Sequence, residues 1–158
     1  MKNSPKICLL LHNIRSAHNV GAIFRTAEAA GVEKIYLIGY TPPPIDRFGR
    51  ASRAIAKTAL GAEKFIEWER YSRASLLFWK LKAKNYKLIA LEQSPDSIDY
   101  RQVKITGPTA IIVGNEVRGL PRSILNKGEV IAEIPMGGKK ESLNVSVATG
   151  IFLFQLLN

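Results

Sequence analysis

Three polar clusters in this chain combine residue types that could do chemistry together. In TAIIVGNEVRGLP an apolar run ends at Gly114 and gives way at once to Asn115 and Glu116. In HNVGAIFRTAEAAG, Asn19 precedes a helical pattern whose apolar positions Val20, Ile23, Phe24 and Ala27 share one face, which leaves Gly21, Arg25 and Glu28 on the opposite one. In EIPMGGKKESLNVSVATG two glycines and the pair Lys139 and Lys140 lead to Ser142 and Asn144 at the start of a last helix. Helix-start amides, glycines that admit close backbone approach and nearby cations suit a ligand with polar edges and phosphates. A carboxylate just past a strand's carboxyl end lies where open α/β sheets seat their ligands. Each cluster also has a plainer account: Asn19 as a helix cap, Arg25 and Glu28 as an ion pair across one turn, and Gly114 as an ordinary strand-end turn. Capping explains Ser142 or Asn144, but not both together with the glycine and lysine pairs beside them.

The elements that must position these clusters follow from the apolar pattern. ICLLL, KIYLIG, EKFIEW, KLIAL, TAIIVG and VIAEIP read as six strands, and their continuous apolar character marks a mostly parallel sheet covered on both faces. Helical patterns lie between them, including NVGAIFRTAEAAG with Gly31 as its stop, SRASLLFWKLKAKN, and the closing LNVSVATGIFLFQLL. The fold class is α/β. The stretch TPPPIDRFGR crowds proline and glycine into a stiff loop ahead of a short helix in ASRAIAKTALGAE. If that region is helical throughout, the near-three spacing of Arg47, Arg50, Arg53 and Lys57 lines a basic stripe.

Composition narrows the partners. The 158 residues suit one domain, 1–158, with a sizeable core. A formal charge of +10 favours a polyanion, nucleic acid first. The lone cysteine, Cys8, cannot form an intrachain disulfide, and MKNSPKICLLLHN has an apolar run too short for a leader, so a cytoplasmic protein without a membrane span is expected. Neither a G-x-G-x-x-G fingerprint nor a P-loop is present. His12, His18 and Cys8 lack zinc-like spacing, so no metal is expected, and each histidine reads as a satisfied loop or strand-end residue.

NIRSAHNVGAIFRTAEAAGVEKIYLIG, IIVGNEVRGLP and IPMGGKKESLNVSVATGIFLFQL resemble, in order and spacing, the three motifs of the SpoU/TrmH group of SPOUT RNA methyltransferases, and ALEQSPDS is similar to that family's segment beside the cofactor. The resemblance covers nearly the whole chain. It implies an α/β sheet whose carboxyl-terminal part threads a deep trefoil knot, and transfer of a methyl group from S-adenosylmethionine to a ribose 2′-hydroxyl of tRNA or rRNA. By match to the motifs, Asn19, Arg25, Glu116, Ser142 and Asn144 would be catalytic, and Leu91, Gly114, Ile134, Met136 and Leu143 would surround the cofactor. RNA contacts would fall to Arg47, Arg50, Arg53, Lys57, Lys139 and Lys140. The resemblance also implies a homodimer in which Arg25 reaches the partner chain's cofactor; the last helix, apolar on more than one side, permits this. With no appended domain expected at either end, RNA recognition would rest on this unit. A non-catalytic RNA-binding dimer of the same fold and a base methyltransferase are the alternatives.

Overall fold

The computed structural model describes residues 5–158; the opening residues 1–4, with the first lysine weighed in the leader reading, lie outside the described part. Seven strands form one sheet in the order β3-β2-β1-β6-β4-β7-β5, and every pairing is parallel. They are β1 (Ile7–His12), β2 (Lys34–Ile38), β3 (Glu67–Tyr71), β4 (Lys87–Leu91), β5 (Ile98–Asp99), β6 (Thr109–Val113) and β7 (Val130–Glu133). The helices are α1 (Ala17–Ala30), α2 (Arg53–Ala59), α3 (Ala74–Ala83), α4 (Arg122–Leu125) and α5 (Val145–Leu157). A parallel sheet needs cover on both faces, and alternation along β1 shows how it is met. Ile7, Leu9 and Leu11 pack in the core that includes α1, α2 and α5, whereas Cys8 and Leu10 pack with Leu77, Phe78 and Leu81 of α3 and Ile124 and Leu125 of α4. Burial pushes the Cys8 thiol up to about 12, so it is an inert core residue.

Several expectations need correction. The third strand is EWERY, not EKFIEW: Ala62–Lys64 forms a single 3₁₀ turn, Ile66 enters the core, and the strand begins at Glu67. It lies at the sheet's edge, where charged side chains discourage pairing with another chain, so its sequence lacks the apolar run of a central strand. The six strands become seven because the two-residue β5 adds to β7 at the opposite edge. His12 also differs from the satisfied residue expected, since its Nδ1 atom, at the end of β1, is buried without a hydrogen-bond partner, and His18 lies in the first turn of the helix over Ala17–Ala30 and not in a loop.

Helix α1 starts earlier than expected. Its N-cap is Ser16, whose hydroxyl accepts a hydrogen bond from the Asn19 amide at 3.2 Å, and its C-cap Gly31 takes the left-handed conformation at φ 76°. Asn19 is therefore a first-turn residue whose side chain does not cap its own helix. Gly21 faces inward, not towards a ligand, and a Cβ there would stand 2.0 Å from Thr58 Oγ1 and 2.4 Å from the Ile55 carbonyl oxygen. Its role is the close crossing of α1 over α2. Among the described residues, no helix is long and apolar enough to cross a membrane.

Candidate active site

Parallel pairing brings the carboxyl ends of β1, β6, β4 and β7 to one edge, with Leu11 beside Val113, Ala90 beside Ile112 and Leu91 beside Ala132. The loops leaving that edge enclose a cleft of 580 Å³, within the usual range of small-ligand sites. All five residues expected around the cofactor, Leu91, Gly114, Ile134, Met136 and Leu143, line it. So do Asn19, Glu116, Ser142 and Asn144, which arrive from three separate segments.

Glu116 ties these segments together. One carboxylate oxygen accepts the Arg15 amide at 3.0 Å; the other accepts the Ser16 amide at 3.0 Å and Asn19 Nδ2 at 3.1 Å. Burial tends to raise this carboxyl, but the donors from Arg15, Asn19 and Ser16 outweigh it and hold Glu116 below its ordinary value. It is ionised at neutral pH. Asn19 in turn accepts a bond at Oδ1 from Asn144 Nδ2 at 3.1 Å, while Asn144 caps α5 by accepting from the Ser146 amide. Carboxylate, amide and amide thus form a line joining all three motifs.

The cleft's floor depends on two tight turns. A Cβ on Gly114 would lie 2.8 Å from the Gly119 carbonyl carbon, so the chain after β6 can fold back on itself only with glycine here. Gly119, at φ 65°, presses against Glu92, and a Cβ there would sit 2.4 Å from Glu92 Oε2. The Glu92 carboxylate accepts the amides of Gln93 and Leu120, each at 2.9 Å, and Gln93 Nε2 donates to the Glu141 carbonyl at 2.7 Å. Glu92 and Gln93, within the ALEQSPDS segment expected beside the cofactor but not named individually there, line the cleft, as do Glu133 and Glu141, which were not singled out from the sequence. The available signal was Glu92 itself, which follows the apolar run KLIAL as Asn115 and Glu116 follow TAIIV. Apolar walls from Leu91, Val113, Ile134 and Met136 beside several carboxylates suit a ligand with a flat apolar ring, hydroxyls and a positive charge. Among the described residues, no group of His, Cys, Asp and Glu is arranged to hold a metal ion.

Other candidates stand elsewhere. Arg25 is exposed on α1, does not line the cleft of its own chain, and makes no salt bridge with Glu28. Arg47 and Arg50 lie in a loop, not on a helix. Their guanidinium carbons stand 4.8 and 5.0 Å from the Phe48 ring centre, and Arg50 pairs with Asp46 at 2.9 Å. Only Arg53 and Lys57 share α2, so the continuous helical stripe is not formed. Lys139 and Lys140 are exposed in the loop before α5.

A family model described as the SpoU rRNA Methylase family matches residues 6–154. The chain belongs to that family. Within the SpoU family it is 31% identical to the tRNA (guanosine(18)-2'-O)-methyltransferase of Aquifex aeolicus, over 98% of this chain and 70% of that one. It is 32% identical to the 23S rRNA (guanosine-2'-O-)-methyltransferase RlmB of Pseudomonas aeruginosa, over 96% of this chain but 58% of the relative. The AdoMet-bound rRNA methyltransferase of Sinorhizobium meliloti superposes with a TM-score of 0.86 at 30% identity, over 97% of this chain and 56% of that one. This SpoU chain thus spans little more than half the length of two of these three relatives, and its fold is the α/β fold of the SpoU/TrmH methyltransferases.

Proposed function

We propose that this chain transfers a methyl group from S-adenosylmethionine to a ribose 2′-hydroxyl of RNA, tRNA or rRNA. The observation that carries the reading is the Glu116, Asn19, Asn144 line at the lip of the cleft, where three distant segments meet in hydrogen bonds. The names of the relatives support the reaction class.

The cleft fits the cofactor chemically. Leu91, Gly114, Ile134, Met136 and Leu143 offer apolar contact and backbone groups to an adenine, and Glu92, Glu133 and Glu141 offer carboxylates to hydroxyls and positive charge. When bound, S-adenosylmethionine supplies a methyl group activated by a sulfonium. The chain's own residues must then orient the acceptor oxygen and favour loss of its proton. Ser142 and the amides of Asn19 and Asn144 stand at the lip to hydrogen-bond a ribose. Glu116, ionised and engaged with three donors, keeps the Arg15–Ser16 turn and Asn19 in place and does not act as the base. Arg25 brings a planar cationic guanidinium and no acceptor atom, so its part is to stabilise the developing 2′-oxyanion or hold the neighbouring phosphate, with the proton leaving to water or phosphate.

For Arg25 to act, a second copy must supply it. Val147 and Phe154, 50% and 44% exposed, form with Ile151 an apolar strip along α5 at helical spacing. Thr26, next to Arg25, touches α5 at Gly150, where a Cβ would lie 3.3 Å from Thr26 Cγ2. A homodimer covering this strip would place Arg25 at its border. The knotted threading belongs to the same reading, supported by β7 lying between β4 and β5 and by the Gln93 bond to the loop before α5. We place the protein in the cytoplasm with its RNA.

Incubation with labelled cofactor and total tRNA or rRNA, followed by nuclease digestion, tests the proposal. Label on ribose is the expected result. Label on a base would support base methylation, and RNA binding without transfer would support the non-catalytic dimer.

A further inference from the structure

An open depression of 940 Å³ adjoins the cleft and shares Asn115 through Arg118 with it, while Arg15, Ser16 and Tyr40 form its far side. We propose that this depression seats the acceptor nucleotide of a single-stranded RNA segment, with the Tyr40 ring as the platform for its base and Arg15 and Arg118 as holders of the flanking phosphates. The inference rests on the methyl-transfer reading above and extends it to the substrate side of Glu116.

Tyr40 carries the argument. The residue is 56% exposed, so burial does not explain its place, yet it is held at both ends. Its amide donates to Asn13 Oδ1 at 3.2 Å, and its phenol oxygen accepts from Asn115 Nδ2 at 3.0 Å. The same Asn115 amide group donates to the Asn13 carbonyl at 2.9 Å, and Asn115 Oδ1 accepts the amides of Val117 and Arg118, each at 2.9 Å. Asn13 itself adopts φ 53°, and Gly39, at φ 67°, has no room for a Cβ, which would overlap Asn13 Oδ1 at 1.9 Å. Two left-handed residues and five hydrogen bonds therefore present one aromatic ring to solvent. An exposed ring fixed in this way is prepared for a flat partner, and every nucleobase offers one.

Charge and position supply the rest. Arg15 and Arg118 are exposed and make no salt bridge among the described residues, so both are free to neutralise phosphates. Glu116 lines both the cleft and the depression, which puts a nucleotide seated on Tyr40 directly beside the Asn19 and Asn144 amides. Double-stranded RNA stacks its bases inward and could not use the ring, so a loop or other unpaired segment is the substrate class.

Fluorescence anisotropy of a labelled single-stranded oligoribonucleotide, titrated with the wild type, Tyr40→Phe and Tyr40→Leu, tests the platform without requiring transfer. Loss of the ring in Tyr40→Leu should weaken binding about 5- to 100-fold. Tyr40→Phe, which keeps the ring and loses the Asn115 bond, should recover most of that loss. Calorimetry with the demethylated cofactor product checks that the cleft survives in both. Equal losses in the two variants would mean that Tyr40 is only a latch for the Asn115 turn, and wild-type RNA binding by Tyr40→Leu would equally overturn the proposal. Should Tyr40→Leu fold poorly, Arg15→Gln and Arg118→Gln serve instead. Each should lower the salt dependence of RNA binding by about one phosphate contact, a log–log slope change of about 0.7, and unchanged slopes in both would overturn it. Absence of methyl transfer by the wild type would sink the reaction assigned above, while the binding comparison would still decide the nucleotide seat.

Discussion

The cleft and the basic turn 46–50, in the loop between β2 and α2, are both rich in polar side chains, but they are tied together in opposite ways. In the loop, Asp46 accepts bonds from Phe48, two residues on, and from Arg50, four residues on, so the turn closes on its own sequence. At the cleft, Glu116 reaches Arg15, Ser16 and Asn19 across about a hundred residues, and Asn144 reaches Asn19 across 125. A self-closed turn such as 46–50 can vary without disturbing the rest. The cleft exists only when several distant segments have docked.

That contrast can be broken at its strongest point first. Replacement of Arg25 by Lys keeps the charge but loses the planar fork, and turnover should fall on the order of 100-fold or more, with affinity for the demethylated product by calorimetry near the wild type. Normal turnover would remove Arg25 from the reaction. Glu116→Ala comes next: three donors lose their acceptor, and stability should drop by about 3 kcal/mol, seen in urea unfolding, together with product affinity. The charge is tested with Glu116→Gln. Because the folded carboxyl lies below its ordinary value of 4.5, its stabilisation is present above that pH and is lost as pH falls through the lower folded value. The gap between wild type and Glu116→Gln should therefore close in acid, and a gap independent of pH would contradict the hydrogen-bond account. At the joint between the two regions, Gly21→Ala pushes a methyl into Thr58 and the Ile55 carbonyl and should cost about 2 kcal/mol, read as a lowered Tm. The smallest effect belongs to the loop: Arg47→Gln should leave stability within about 0.5 kcal/mol while lowering the salt slope of RNA binding by about one contact.

The sequence made the local patterns legible and left their assembly obscure. The buried strands ICLLL and TAIIV are central in the sheet, and their continuous apolar character announced it. Edge strands carry no such mark, so EWERY was displaced towards Phe65 and the two-residue β5 was missed. At the cleft, the three motifs were visible and their residues do meet. Asn19 was read as a cap because it precedes an apolar pattern, but Ser16 takes that duty and frees the Asn19 amide to bridge Glu116 and Asn144. Gly21 was read as a place for ligand approach because a glycine in a helix looks like an opening; its neighbour turned out to be α2, which no local pattern names. The bracing role of Glu92, although its segment was expected beside the cofactor, and Tyr40 altogether escaped for the same reason, since their partners, Gly119 with Leu120 and Asn115, lie far along the chain.

The bond from Asn144 to Asn19 also sets an order of events during biosynthesis. The first helix leaves the ribosome early and can dock on its sheet, and Asn19 Nδ2 finds Glu116 once the second motif has been made, yet Asn19 Oδ1 has no donor until the loop before the last helix has been translated. A product stalled before that point would carry the early strands but no donor pocket. Unfinished copies would therefore be unable to consume the methyl donor or mark RNA.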